Sequence, residues 1–156
     1  HLIESPFLLG DRPSSADFAF YGQLSQLVKF DPTPRKICHD LAPRVVAWAE
    51  VIDDLSGLNL DSKRWTLLED SPKTLKNIFN EFGLMYAPVL LENAKAVNEQ
   101  KTDWKITVNG AEWKQRTFNY QAKCLNWIRE EYAMLAEQEK DCVKTFLDGT
   151  NCEQIF

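Results

Sequence analysis

The chain has 156 residues, of which 44% are hydrophobic and 26% charged, and its 18 basic and 23 acidic side chains give a formal charge of −5. A chain of this length and composition can bury a packed core, so intrinsic disorder is excluded. The sequence contains no run of lysine and arginine residues, so a nucleic-acid partner is not expected. No apolar stretch approaches the roughly 20 residues that span a bilayer, so no membrane partner is expected.

A helix-start signal opens the first long helical segment. Ser14 can occupy the N-cap position, where its hydroxyl accepts from the backbone N–H of Asp17, and the Asp17 carboxylate can reach back to the N–H of Ser14. Pro13 and Phe18 stand in the positions of a hydrophobic staple. Apolar residues then recur every three or four positions around much of the helix. This spacing predicts a central, buried helix over 15–29.

Prolines separate the next helical segments. Pro32 and Pro34 should end the first helix, because proline lacks a backbone donor and disfavours helical geometry in the residue before it. We predict a short helix over 35–41 and another from Pro43 to about residue 55. Residues 59–64 are the predicted internal seam, that is, the place where the first layer of helices ends.

The second half of the chain combines helices with one hairpin. Ser71-Pro72 is predicted to begin a helix that stops at Gly83, and another helix is predicted over 86–99. Asn109-Gly110 stands between two short β-prone segments and predicts a two-residue hairpin near 104–115.

A single long helix is predicted over 118–147, because two apolar stripes run along it. Glu139 interrupts the first stripe. The second stripe contains Tyr120, Cys124 and Trp127 and gives the same helix another apolar side.

The four cysteines match no zinc or redox motif, because Cys38, Cys124, Cys142 and Cys152 are separated by 86, 18 and 10 positions. This spacing favours free thiols in a reducing, cytosolic setting. A disulfide between Cys142 and Cys152 is the alternative. Because the chain opens on His1 rather than Met, we expect its natural start and any targeting segment to lie upstream.

The residues from Gly10 to Asp17 resemble the folding module of the cytosolic glutathione transferases, in their C-terminal all-helical domain. There, a Gly, a hydrophobic or Pro residue, a Ser/Thr cap and an Ala-Asp pair open the buried central helix. Residues 65–156 look like the extra helical region of a subgroup of such proteins. The resemblance covers about residues 5–57, because three further segments follow in the expected order and spacing: 18–22, 31–34 and 42–48.

The resemblance implies an all-α fold, a glutathione-transferase C-terminal-like helical bundle with one small β-hairpin. Residues 1–58 would form the core of that helical domain, and residues 59–156 a helical extension packed on the same domain. In the family, the co-substrate glutathione and the catalytic Tyr, Ser or Cys belong to an N-terminal thioredoxin-like domain. Nothing in the sequence resembles that domain.

The chain is therefore predicted to be the C-terminal helical portion of a glutathione-transferase-like protein. Its implied partners are the thioredoxin-like domain of the same protein and, in a homodimer, a second copy. Its implied location is the cytoplasm. The alternative is a non-catalytic interaction module, because similar helical domains serve as platforms in translation-factor and synthetase complexes.

No catalytic residue and no metal ligand is predicted in the chain. Ser14 and Asp17 are assigned a structural role. Cys38 and His39 are neighbours whose side chains point about 100° apart on a helix, so they do not pair. The acidic pairs Asp53-Asp54 and Glu130-Glu131 are expected to face solvent, and the scattered His and Cys residues lack metal-ligand spacing.

Aromatic side chains are the candidates for a binding surface. In the family, helical-domain side chains close part of an apolar cleft that receives the electrophile. Tyr120, Cys124 and Trp127 are predicted to form part of this hydrophobic-substrate wall, with docking under the absent domain and plain core packing as the alternatives. Three other aromatic residues are further candidates: Trp65, Tyr86 and Trp113.

Overall fold

The computed structural model describes residues 1–156 and is mostly helical, with seven α-helices and one two-stranded antiparallel sheet. The predicted mainly helical fold with a small hairpin is confirmed. The chain divides into two compact units, 1–72 and 73–156. The predicted seam at 59–64 lies inside the first unit, where the N–H of Thr66 donates to the Leu9 carbonyl at 2.7 Å.

The first unit contains three α-helices. A π-helical turn over Gln26–Phe30 follows the first of them, and a short 3-10 turn covers Leu68–Asp70. The helices are α1 (Ser15–Ser25), α2 (Pro32–Leu41) and α3 (Pro43–Asp53).

The second unit contains four α-helices and the hairpin. A π-helical turn over Phe82–Tyr86 joins its first two helices, and a 3-10 turn covers Cys152–Ile155. The regular elements are α4 (Lys73–Glu81), α5 (Ala87–Asn98), β1 (Asp103–Val108), β2 (Ala111–Arg116), α6 (Asn119–Met134) and α7 (Glu137–Leu147).

The prediction that the first helix is buried on most sides is wrong. Only Asp17 and Ser25 of α1 are buried, and the side chain of Phe18 is 51% exposed. The helix packs on one side against α3, so its wide apolar arc is only partly covered. The buried centre of the unit is formed by four residues: Phe7, Trp48, Ala49 and Ile52.

The transition from α1 to α2 starts earlier than predicted. Regular α-helix ends at Ser25, and α2 begins at Pro32 rather than residue 35. Pro32 fits the first helical position because its missing N–H would have no helical partner there. The carboxylate of Asp31 caps the helix by accepting from the N–H of Thr33 at 3.1 Å.

The hairpin of the second unit is confirmed. Asn109 and Gly110 have φ values of 49° and 78°, the positive pair that a two-residue turn of type I′ requires. The strands pair from Asp103 with Arg116 to Val108 with Ala111. Four buried residues pack the hairpin onto α5: Val89, Ala96, Trp104 and Val108.

A buried asparagine joins the hairpin to the start of α6. Asn93 on α5 accepts from the indole N–H of Trp104 at 3.1 Å and from the N–H of Phe118 at 2.9 Å, through the same oxygen. Its amide group donates to the carbonyl of Phe118 at 2.9 Å. Three chain segments are therefore linked through one fully buried side chain.

We expect Trp104→Phe to lower the free energy of unfolding by about 1–2 kcal/mol, because it removes one buried hydrogen bond and some ring volume. Trp113→Phe on the other strand is the control. Its indole N–H bonds to Gln115 on an exposed surface, so that variant should change stability by less than about 0.5 kcal/mol. Urea denaturation measures both values, and equal losses would refute the role assigned to Trp104.

The prediction of one long final helix is wrong. The chain is extended at Leu135 and Ala136, where ψ is 146° and 154°, and α7 begins after this break. Glu139 accepts from the N–H of Ala136 at 2.9 Å. Glu139, which interrupts the apolar stripe, therefore caps a separate helix. The sequence did not indicate this helix start, because Ala136 rather than Ser or Thr occupies the N-cap position.

The prediction that Gly83 stops a helix is also wrong. Gly83 lies inside the π-helical turn, and the helical path continues into α5. The backbone of residues 150–152 lies directly against its α-carbon, so this position must lack a side chain.

Candidate functional site

The start of α1 is an inward-facing polar cluster. Half of the predicted capping box between Ser14 and Asp17 is confirmed, because the Asp17 carboxylate accepts from the N–H of Ser14. The other half is wrong, because the N–H of Asp17 donates to the carbonyl oxygen of Ser14 at 3.1 Å and not to its hydroxyl. The Asp17 carboxylate is fully buried and accepts from the N–H of Ser14 at 2.8 Å and from the Ser14 hydroxyl at 2.7 Å. Its other oxygen accepts from the N–H of Leu8 at 2.8 Å. Because the chain's own donors surround the carboxylate, the arrangement fits a structural role.

The predicted wall residues lie on one face of α6. Successive positions on a helix turn by about 100°, which places Tyr120, Cys124 and Trp127 within a narrow arc. Ala122 and Leu125 lie on a different side and are buried where α6 packs against α5. The structure therefore brings the three predicted residues together, away from the packed side of their helix.

Phe118 contacts this arc, and we call the four residues Phe118, Tyr120, Cys124 and Trp127 the aromatic face of α6. Tyr120 is 57% exposed and Trp127 is 43% exposed, and their rings meet edge to face with centroids 6.1 Å apart. The Phe118 ring lies 6.2 Å from that of Tyr120. The face presents three exposed aromatic rings and a half-buried thiol.

A cation that the sequence did not predict borders this face. Lys123 places its ammonium nitrogen 4.8 Å from the centroid of the Trp127 ring. The spacing of four residues on a helix is the signal that could have found it. The pair gives one edge of the face a positive charge.

The other aromatic candidates lie on different elements. Trp65 is in the loop after α3, where the Arg12 guanidinium stands 4.5 Å from its ring centroid. Tyr86 ends a π-helical turn and Trp113 is on β2. All three are exposed, and none belongs to the aromatic face of α6.

All four cysteines are free, so the alternative of a disulfide between Cys142 and Cys152 is wrong. Cys142 is exposed, whereas Cys152 is buried and donates its thiol hydrogen to the Phe79 carbonyl at 3.0 Å. Burial raises the pKa of the Cys152 thiol, which makes it a poor nucleophile. Cys38 is half-buried and His39 is exposed on consecutive positions of α2.

One cluster of titratable side chains joins α1 to α3. The Tyr21 hydroxyl donates to the Asp53 carboxylate, and the Lys29 ammonium lies 3.1 Å from the other oxygen. Hydrogen bonds from Tyr21 and Lys29 hold the pKa of Asp53 below its usual value. The same bond to Asp53 raises the pKa of Tyr21, so its hydroxyl stays protonated. This cluster links α1 to α3 at the surface of the first unit.

Two cavities lie elsewhere in the units. One, of about 430 Å³, is a shallow groove on α2 whose lining side chains are all exposed. The other, of about 270 Å³, is lined by Tyr132, Val143, Lys144, Leu147, Glu153 and Phe156. Neither contains a residue of the aromatic face of α6.

No protein-family model, curated protein or solved structure matches the chain. None of its helices combines the length and the apolar character needed to cross a membrane. No group of three or more His, Cys, Asp or Glu side chains is arranged to hold a metal ion.

Proposed function

We propose that the chain is the C-terminal helical portion of a glutathione-transferase-like protein, which supplies a folding scaffold and part of a hydrophobic substrate site. The observation that carries this proposal is the start of α1. There the fully buried Asp17 carboxylate accepts from the N–H groups of Ser14 and Leu8. The helix-opening module of that family has the same sequence pattern.

The aromatic face of α6 supports the second part of the proposal. It offers apolar ring surface, as an electrophile with an aromatic or aliphatic body would require. In the proposed reaction, the glutathione thiolate attacks an electrophilic carbon, a C–S bond forms and the leaving group departs. An N-terminal thioredoxin-like domain would bind glutathione and activate its thiol. This chain would contribute the wall, and a homodimer in the cytoplasm is the proposed setting.

We expect anilinonaphthalene sulfonate to bind the aromatic face of α6 and to quench tryptophan emission by energy transfer from Trp127. Trp127→Phe should reduce that transfer more than Trp113→Phe, which alters a similarly exposed indole on the hairpin. Tyr120→Ala should weaken binding about threefold or more, because it removes one wall of ring surface. Fluorescence titration measures each value.

Two results would contradict the proposed site. Constant tryptophan emission at a high probe concentration would show that the aromatic face of α6 does not bind the probe. Equal effects of Trp127→Phe and Trp113→Phe would show that the probe does not bind on α6. Because the glutathione site is assigned to another domain, this chain alone should pass through a glutathione resin. Firm retention would refute that assignment.

A non-catalytic interaction module is the second candidate, and exposed apolar residues of the first unit favour it. Phe18, Ile37 and Leu41 are all more than half exposed, and Leu41 reaches 82%. The reading frame upstream of His1 separates the two functions. A thioredoxin-like domain with a catalytic Tyr, Ser or Cys supports the transferase, and a degenerate or absent domain supports the module.

A further inference from the structure

A groove of about 430 Å³ lies beside α2, within the first unit. One end is formed by the last residue of the π-helical turn, and the rest by α2 itself. Its lining combines two apolar rings, three basic side chains and one carboxylate: Phe30, Pro32, Arg35, Lys36, His39 and Asp40.

The local sequence explains why these groups share one groove. Arg35 and His39 are four residues apart on α2, as are Lys36 and Asp40, so each pair lies along one side of the helix and the two pairs are adjacent. The turn at Asp31 brings Phe30 next to them. The Phe30 ring is 71% exposed and offers an apolar surface beside the charged groups.

The charges in the groove do not cancel. The Lys36 ammonium lies 2.7 Å from the Asp40 carboxylate, so these two groups neutralise each other. Arg35 has no acidic partner in the chain, and His39 adds a ring that can donate a hydrogen bond. The groove therefore presents an uncompensated guanidinium on a protein whose formal charge is −5. A guanidinium matches the geometry of phosphate and carboxylate oxygens through paired N–H donors.

We infer that this groove binds an organic oxyanion, that is, a molecule with a ring that carries a phosphate or a carboxylate. Arg35 holds the oxyanion and His39 donates to it, while the ligand ring lies against Phe30 and Pro32. All six lining side chains are exposed, so the groove is a shallow surface site that leaves part of the ligand in solvent. The groove shares no residue with the capping box or the aromatic face of α6, so this inference is independent of the proposed function.

The imidazole proton signals in an NMR titration test the inference, because the chain has only two histidines. His39 lines the groove, and His1 lies elsewhere, within 3.1 Å of the Leu8 carbonyl oxygen. At one fixed pH, phenyl phosphate and benzoate are added in separate titrations. We expect a saturable shift of the His39 signals with at least one of them, and the tighter binder identifies the preferred oxyanion. The His1 signals should stay in place.

Arg35→Gln should weaken binding about tenfold, since it removes a charge-assisted hydrogen-bonding pair. Arg44→Gln is the matched control, because it removes an exposed arginine charge from α3 in the same unit and should leave affinity unchanged. Benzyl alcohol, which has the ring without the anion, should leave the signals unmoved. Inorganic phosphate should bind more weakly than phenyl phosphate.

Three outcomes would overturn the inference. If the His39 signals did not shift at high concentrations of phenyl phosphate and benzoate, the groove would not bind these ligands. Equal losses in Arg35→Gln and Arg44→Gln would show attraction by overall charge only. Equal affinity for inorganic phosphate and phenyl phosphate would remove the role of the apolar rings.

Discussion

Gly83→Ala is expected to lower the free energy of unfolding of the second unit by about 3 kcal/mol, the upper part of the range for overpacking. A β-carbon at this position would overlap the carbonyl oxygen of Thr150. It would also lie 2.8 Å from the carbonyl carbon of Asn151 and 2.9 Å from the nitrogen of Cys152. These are backbone atoms, so no flexible side chain can move aside. The helix-propensity gain from Gly to Ala, about 1 kcal/mol, is too small to compensate.

Gly22→Ala is the matched control for this substitution. Gly22 lies within α1, and a β-carbon there would have no heavy atom within 4 Å outside its own helix. Alanine should therefore raise stability by about 0.5–1 kcal/mol. Urea denaturation measures the change in the free energy of unfolding of each variant. If Gly22→Ala were also destabilising, the difference in packing between the two glycines would not explain the effect at Gly83.

The thiol of Cys152 reports where Gly83→Ala acts. It is buried in the segment that lies against Gly83, and it donates to the Phe79 carbonyl. Displacing that segment should speed alkylation of Cys152, measured by mass spectrometry of the modified peptide. Cys142 is already exposed and should react at an unchanged rate. An unaltered rate at Cys152 would contradict the proposed displacement even if overall stability fell.

Features that depend on a few neighbouring residues could be predicted from the sequence. Asn109-Gly110 specifies a turn by its own backbone preferences, and the hairpin follows from it. Ser14 and Asp17 stand one helical turn apart, and the predicted bond from the Ser14 N–H to the Asp17 carboxylate is present. In both cases the physical cause lies within six residues or fewer of sequence.

Features that depend on distant segments could not be predicted in the same way. A glycine in a helical pattern can end a helix or admit a close neighbour, and the segment that decides this for Gly83 comes much later in the chain. The bond from the Leu8 N–H to Asp17 and the one-sided packing of α1 also depend on tertiary contacts. Periodicity reports which side chains are apolar, not whether anything covers them.

The aromatic face of α6 and the groove beside α2 show the same difference between local and non-local causes. A helical arc is sufficient to place Tyr120, Cys124 and Trp127 on one face, because the period of the helix is known in advance. The groove beside α2 combines Phe30, the last residue of the π-helical turn, with the basic residues of α2. No spacing rule predicts a π-helical turn at that place.

Asp17→Ala is expected to lower the free energy of unfolding by about 3 kcal/mol and the melting temperature by about 10 °C. The substitution leaves the N–H groups of Leu8 and Ser14 and the Ser14 hydroxyl without their acceptor. Each buried donor that loses its partner costs about 1–3 kcal/mol, unless water enters the space. Circular dichroism during heating measures the change.

Two further variants separate burial from ordinary capping. Asp31→Ala removes the exposed cap of α2, where one carboxylate accepts one N–H, and should cost about 1 kcal/mol. Asp17→Asn keeps the shape but replaces one acceptor oxygen with a donor group, so its loss should fall between those of Asp31→Ala and Asp17→Ala. If Asp17→Ala and Asp31→Ala were equally destabilising, the links to Leu8 and Ser14 would contribute no more than a surface cap. A scaffold role also requires that Asp17→Ala, below its own melting temperature, bind anilinonaphthalene sulfonate as the unmodified chain does.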